Sequence, residues 1–367
     1  MKGADQSNKR SPIVWIDNAR LLAMLAVLSF HFFTNFYPQP KSVHELVTPA
    51  FKIPLIPMQL GWEADMLFFA ISGIGLSLAA ASHTSGWGAF FIRRVKRIYI
   101  PYWVTIVFLL AYQGFCSAVK TWDHVIDVPN NLIDWICNVF IIQKDPIVFF
   151  VGHFWFLYTL VILYALFPII YWVIRRFGLV GFAGLFLSSS LLPIILAPMP
   201  RSPFYGAIWS LSWAPSFILG VYVGRRLMSD RAATERFLRR TIPLGIAAFA
   251  FGSWTTITQR FGWMAHPMLG FGTLSIAFAV GSMKWHLPSL TAISFEAYLV
   301  HDPFIGWYRH FFGFVDSPKP LFYVFFMVTV GLMGAGIHWI ADAITEKLSK
   351  SGKERSSTMS PNAVRQP

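Results

Sequence analysis

Residues 15–36 have the sequence WIDNARLLAMLAVLSFHFFTNF, and this stretch decides the fold. It is long and apolar enough for a transmembrane helix. Arg20 and His31 lie on it eleven positions apart, which returns them to nearly the same helical face, about 16 Å apart along the axis. Ionisable side chains inside a membrane span are costly and usually mark function. We therefore expect this face to line a cavity or to meet a partner.

Asp17 and Asn35 fall on the same stripe, between leucine, methionine and phenylalanine residues. In one alternative interpretation, Asp17 and Arg20 only cap the cytoplasmic end of the helix, and Arg20 extends to the lipid headgroups. This alternative does not explain His31, which lies too deep in the span to reach the headgroups.

The composition predicts an all-α, polytopic membrane protein. The chain is 55% hydrophobic and 13% charged, and its mean hydropathy is +0.54. Apolar segments long enough to span a bilayer recur along it. About ten transmembrane helices are predicted, at about 14–36, 62–82, 98–118, 153–174, 177–197, 206–227, 241–258, 263–283, 291–311 and 321–344. The stretch 131–142 is too short to span and is predicted to be interfacial or re-entrant.

The formal net charge of +13 does not indicate a nucleic-acid partner, because the positive charges follow the membrane topology. Most Lys and Arg residues fall in the tails and in the loops on one side of the predicted spans. This pattern predicts that both termini are cytoplasmic and that lipid headgroups are partners.

Three regions are expected: a disordered cytoplasmic tail at 1–12, a transmembrane domain at 13–345 and a second disordered cytoplasmic tail at 346–367. The outer loops 37–61 and 119–152 are rich in Pro, Trp, Asp and Asn. They are either a wet surface that faces a polar ligand or ordinary connecting loops.

The two cysteines, Cys116 and Cys137, either form one disulfide or stay unpaired, and unpaired thiols are the more common case for apolar-flanked cysteines. The sequence contains no zinc, haem or iron–sulfur spacing. We therefore expect no metal and no bound cofactor.

An arginine cluster precedes the third helix, in FFIRRVKRIYIPYW at 90–103. Arg94 and Arg97 share a helical face, with Arg93 beside them. Guanidinium groups bind phosphates bidentately, but a cytoplasmic cluster also anchors to headgroups, and both interpretations stay open. Gly73 and Gly75, within the second span, are expected to allow close helix packing.

Polar residues also occur in two later spans. Ser294, Tyr298 and His301 line one stripe of the ninth helix, whereas Glu296 points roughly the opposite way. His301 is either a functional group or an ordinary hydrogen-bonded histidine of a span. Trp155, at the outer start of the fourth helix, is most simply a residue of the interfacial aromatic belt.

Together these motifs resemble the membrane acyltransferase type 3 family, the ten-helix bacterial enzymes that O-acylate surface glycans. The resemblance covers roughly residues 13–345. It rests on Arg-x10-His at 20–31, FFAISG at 68–73, Arg-x-x-Arg at 94–97, HFWFL at 153–157 and SFEAYLVH at 294–301. The family often has an acidic residue directly before Leu-Phe-Phe. Met66 stands there in this chain, and Asp65 is one position earlier.

The resemblance implies transfer of an acyl group, most simply acetyl, from cytoplasmic acetyl-CoA or another acyl-CoA to a sugar hydroxyl. The acceptor would be a lipid-linked or exported glycan such as an exopolysaccharide, at the bacterial inner membrane. Arg94, Arg97 and Arg93 would bind the phosphates of the donor.

The same resemblance implies that His31 is the general base or a transient acyl acceptor. Arg20, paired with Asp17, would position the thioester or stabilise developing negative charge. The candidate substrate-binding residues are Asp65, Trp155, Tyr298 and His301.

A transporter or flippase of a lipid-linked sugar is the alternative function. Its buried polar residues would bind the substrate without breaking bonds. Against it, no pair of Gly- or Pro-broken helices recurs at matching places in two halves of the chain.

Overall fold

A computed structural model describes most of the chain. The described residues are 13–36, 60–81, 86–120, 126–144, 149–196, 198, 205–258, 260–312 and 320–358. They form helices and connecting turns and contain no β-strand. The predicted tail at 1–12, most of the loop 37–61 and the end of the second tail lie outside these residues.

Thirteen α-helices occur in this part of the chain. They are α1 (Val14–Phe36), α2 (Ala64–Ala81), α3 (Trp87–Ala118), α4 (Leu132–Phe140), α5 (Trp155–Leu196), α6 (Tyr205–Trp209), α7 (Ala214–Ser229), α8 (Arg231–Arg240), α9 (Ile242–Thr258), α10 (Gly262–Gly281), α11 (Pro288–Ala292), α12 (Ser294–Phe312) and α13 (Pro320–Thr358). Short 3-10 helices span Leu60–Glu63, Gly152–Phe154 and Ser210–Trp213.

Six helical segments of the described part are long and apolar enough to cross a membrane, by length and composition. Two further apolar helices, Ala64–Ala80 and Ile242–Thr256, are shorter. Every one of the ten predicted segments overlaps a helix. The helix α5 covers two of them. Its backbone leaves the helical region at Gly178, where φ is 58° and ψ is −128°, and this kink divides α5 into two helical segments.

Two helices are longer than the sequence pattern suggests. The helix α3 begins at Trp87, so the arginine cluster lies on a helix and not in a loop. The helix α13 continues to Thr358, beyond the predicted end of the transmembrane domain at 345. An ion pair of 2.7 Å between Lys350 Nζ and Glu346 Oε1, at i,i+4 spacing, supports this extension.

Glycine lets α2 and α7 pack in direct backbone contact. A Cβ atom on Gly73 would meet the Phe217 carbonyl oxygen, and one on Gly220 would meet the Ala70 carbonyl oxygen. The expected close packing is thus confirmed at Gly73. The same expectation is wrong at Gly75, where a Cβ atom would have open space because this residue faces a cavity.

The helix α1 lies at the centre of the bundle and packs against α2, α10 and α12. Asn18 is fully buried and fixes α1 to the end of α10 through hydrogen bonds from Nδ2 to the carbonyls of Gly281 (2.8 Å) and Trp285 (2.7 Å). These contacts orient the stripe of α1 that carries Arg20 and His31. We call the bundle end near Arg20 the basic end and the end near His31 the histidine end.

Candidate active site

A cavity of about 710 Å³ lies at the basic end. Its walls come from α1, α2, α3, α5 and α11–α13. Five positively charged side chains of α1 and α3 line it, namely Arg20, Arg93, Arg94, Lys96 and Arg97. The structure therefore brings Arg20 together with the arginine cluster of α3. Such a concentration of guanidinium groups suits a ligand that carries several phosphates.

Asp17 is the acidic partner of this basic wall. Its Oδ1 lies 3.5 Å from Arg20 Nη1, so the predicted i,i+3 pair is confirmed. Its Oδ2 lies 3.9 Å from His286 Nε2. Arg20 also experiences the positive charges of Arg97 and Arg94. Glu296 and Asp342 also line the cavity, so three carboxylates stand against the five cations, which leaves net positive charge for an anion.

Three aromatic rings close the inner end of the cavity. The ring of Tyr298 lies 6.1 Å from that of Phe68 and 5.5 Å from that of Phe156, and the latter two are 5.8 Å apart. All three residues line the cavity. This aromatic floor separates the charged part of the cavity from the polar residues behind it.

Three histidines meet directly behind the aromatic floor, and we call them the histidine cluster. They are His31 of α1, His153 of the second 3-10 helix and His301 of α12. The ring centroids of His31 and His301 are 4.7 Å apart, those of His153 and His301 are 4.4 Å apart, and those of His31 and His153 are 6.3 Å apart. His153 and His301 are buried, whereas the side chain of His31 is 26% exposed.

Asp302 faces two of these rings. Its Oδ1 lies 4.0 Å from His31 Nδ1, and its Oδ2 lies 3.8 Å from His153 Nδ1. A carboxylate beside Nδ1 favours the tautomer that keeps the proton there and leaves Nε2 free to accept one. Asp302 was not among the predicted site residues, because its partners His31 and His153 are distant along the chain.

Tyr298 connects the cavity with the histidine cluster. Its hydroxyl donates to the His153 carbonyl oxygen at 2.7 Å, and its own carbonyl lies 2.6 Å from His301 Nδ1. Since a carbonyl only accepts, Nδ1 of His301 carries the proton. The predicted stripe on α12 is confirmed in part, because Ser294 and Tyr298 line the cavity but His301 lies behind it.

Arg20 and Asp17, which were grouped with His31 as candidate catalytic residues, line the cavity at the basic end. Helix geometry separates Arg20 from His31 by about 16 Å along α1. Asp65, also a candidate, is half-buried at the start of α2 and interacts electrostatically with Tyr298. Asp65 does not line the cavity, whereas Phe68, three positions later on α2, does.

Trp155 lies in a stack of half-buried rings at the histidine end. Its ring is 4.7 Å from that of Trp213, which in turn stacks on His266 at 4.1 Å. Trp155 is two positions after His153 in the sequence. The centroid of its ring lies 6.5 Å from that of Phe69. A surface of flat rings next to the cluster suits contact with an apolar face of a sugar.

Asn138 of α4 holds the segment that carries His153, and sequence analysis did not identify it. Its Oδ1 accepts hydrogen bonds from the Phe150 N–H (3.1 Å) and the Tyr158 hydroxyl (3.0 Å). Its carbonyl accepts from the Tyr102 hydroxyl at 2.8 Å. The predicted interfacial or re-entrant stretch is thus a helix docked on α3. An Asn inside a short apolar helix was the available signal.

The two cysteines lie apart from the cavity lining. Cys116 and Cys137 are buried and form no disulfide with each other. Within the described ranges, no group of three or more His, Cys, Asp or Glu residues has a geometry that could hold a metal ion.

Comparison with known families assigns the chain. A family model described as an acyltransferase domain, acyltransferase family 3, matches residues 13–339. No curated protein and no solved structure matches the chain. The matched range contains both the basic cavity and the histidine cluster. Because the family model covers nearly the whole sequence, the chain belongs to the acyltransferase 3 family of membrane acyltransferases.

Proposed function

We propose that this acyltransferase moves an acetyl group from cytoplasmic acetyl-CoA to a sugar hydroxyl of an exopolysaccharide or another surface glycan. One observation carries the proposal. A cavity lined by Arg20, Arg94 and Arg97 ends at Tyr298, and Tyr298 contacts both His153 and His301. A basic cavity and a group of imidazoles thus lie on the two sides of one residue, which supports a transfer between them.

The donor would bind from the basic end. Arg93, Arg94 and Arg97 would hold its phosphates, and Arg20, fixed by Asp17, would add a further positive charge. The acyl end would extend inward past Phe68 and Phe156 toward the histidine cluster. This assignment gives Arg20 and Asp17 a role in donor binding, because about 16 Å along α1 separates Arg20 from His31.

His31 would act as the general base through Nε2. Nε2 takes the proton of the sugar hydroxyl while the hydroxyl oxygen attacks the thioester carbonyl carbon. The carbon–sulfur bond then breaks, and the thiolate receives the proton from His31. Asp302 would stabilise the imidazolium that forms between these steps, because its carboxylate faces Nδ1.

The acceptor would approach from the histidine end. The side chains of His31 and Asp302 are partly exposed there, and Asp65 and Trp155 are half-buried nearby. Asp65 could accept hydrogen bonds from sugar hydroxyls, and the ring stack that begins at Trp155 could contact the sugar face. The ten-span topology, with both termini cytoplasmic in a bacterial inner membrane, would give each substrate access to its own end.

Two measurements test the proposal. Membranes that contain the purified protein should release free thiol from acetyl-CoA, whereas a transporter or flippase would release none. Mass spectrometry of the surface polysaccharide, with and without the gene, should show acetyl groups that depend on the protein. An unchanged acetyl content together with no thiol release would refute the proposed function.

A further inference from the structure

The wall of the cavity that α12 and α13 form carries a chain of three polar groups that the proposed reaction does not use. Glu296 of α12 and His338 and Asp342 of α13 all line the cavity. His338 Nδ1 lies 3.0 Å from Glu296 Oε1, and His338 Nε2 lies 3.3 Å from Asp342 Oδ2. Both ring nitrogens thus face carboxylates, which fixes the plane of the imidazole ring.

The carboxylate of Glu296 keeps one acceptor unused. Its side chain is 6% exposed, and Oε2 has no hydrogen-bond partner among the described residues. A buried carboxylate oxygen without a donor is costly, so fastening α12 to α13 does not by itself explain a carboxylate at this position. Oε2 itself has almost no accessible surface, so an N–H group of a ligand in the cavity would satisfy it once the carboxylate turns toward the cavity.

The chain of groups lies toward the mouth of the cavity. Glu296 and Tyr298 are two positions apart on α12, so they point to nearly opposite sides of the helix. Glu296 therefore faces α13, away from the histidine cluster. Asp342, at the other end of the chain, is 71% exposed. The arginines that would hold the phosphates line the same cavity.

We infer that Glu296 and His338 form the subsite for the adenine base of the acyl-CoA donor, with Glu296 Oε2 accepting a hydrogen bond from the exocyclic amino group. This inference rests on the proposed donor. In that donor the base stays next to the phosphates, whereas the thioester arm extends inward. The base is also the part of the nucleotide end that offers both an N–H donor and a flat ring.

Binding of CoA and of 4′-phosphopantetheine, which lacks the adenosine part, tests the inference by isothermal titration calorimetry on the detergent-purified full chain. In Glu296→Gln, the one side-chain oxygen of the glutamine accepts from His338. The NH2 group of the glutamine then faces the amino group of the base, so two donors meet and no hydrogen bond forms. We expect this variant to weaken CoA binding at least about tenfold and to change 4′-phosphopantetheine binding less than about twofold. Glu346→Gln, on α13 outside the cavity lining, is the matched control and should alter neither affinity.

Two outcomes would overturn the subsite. Equal weakening of both ligands would mean that Glu296 acts only by fastening the helices, and unchanged CoA binding would mean that the base lies elsewhere. If Glu296→Gln does not accumulate, His338→Asn takes its place, because it removes the partner of Glu296. Its binding of CoA and of 4′-phosphopantetheine is then compared in the same way. If the wild-type protein transfers acetyl groups but Glu296→Gln does not change the ratio of the CoA and 4′-phosphopantetheine affinities, only the subsite fails. If it neither binds CoA nor releases thiol from acetyl-CoA, the proposed function fails as well.

Discussion

Replacing Asp302 by Asn removes the charge that faces two imidazoles and keeps the size of the side chain. Asp302 lies 4.0 Å from His31 Nδ1 and 3.8 Å from His153 Nδ1. At about 4 Å and an effective dielectric constant of about 20, two unit charges interact by about 4 kcal/mol. The side chains of His31 and Asp302 are 26% and 32% exposed. Solvent screening reduces the interaction to about 2 kcal/mol, which corresponds to roughly a 30-fold slower transfer.

The assay is the rate of acetyl transfer from acetyl-CoA at one fixed pH, per amount of purified protein. The Asn amide can also donate to Nδ1 and favour the unproductive tautomer of His31, so the estimated loss is a lower bound. Asp127→Asn is the matched control, because Asp127 is exposed and lies outside the site. A wild-type rate in Asp302→Asn would refute the role that we assign to this carboxylate.

Three further predictions concern the donor site, the packing and the pH dependence. Arg94→Ala or Arg97→Ala should raise the KM for acetyl-CoA, and Lys should restore it poorly because it cannot bind phosphate bidentately; equal function of the Lys variants would favour headgroup anchoring. Gly220→Ala should destabilise the protein by about 1–3 kcal/mol in thermal unfolding, because α2 blocks the new methyl group, whereas Gly331→Ala has open space and should not. Hydrogen bonds from Lys144 and Asn131 hold the pKa of Asp134 below its usual value of 3.8. The stabilising contribution of its carboxylate is therefore present at neutral pH and is lost as the pH falls below that value. Asp134→Asn should lack this pH dependence in acid unfolding.

Helix periodicity predicted the contacts that lie within one helix. The Asp17–Arg20 pair and the stripe shared by Ser294 and Tyr298 follow from a repeat of 3.6 residues per turn. The arginine pair on α3 was also predicted to share a face. In each case the partners are close in sequence, so local geometry alone determines their separation.

Contacts between helices could not be predicted in this way. The approach of His31, His153 and Asp302 joins three segments that are far apart along the chain, and the helix period does not determine which faces of different helices meet. Arg20 shows the same limit. Its position on the stripe and its distance from His31 were predicted. That the aromatic floor at Tyr298 lies between Arg20 and the histidine cluster could not be predicted, because the floor joins three different helices.

The role of His31 is the central claim, and His31→Gln tests it most directly. Glutamine can keep a hydrogen bond but cannot accept a proton at neutral pH. The measurement is the acetyl content of the surface glycan, normalised to the amount of protein in the membrane. We predict a loss of at least about 100-fold at normal protein abundance, since a general base contributes about 10²–10⁴-fold. Near-normal acetylation by a well-expressed His31→Gln protein would contradict the account and would make His301 the next candidate for the base.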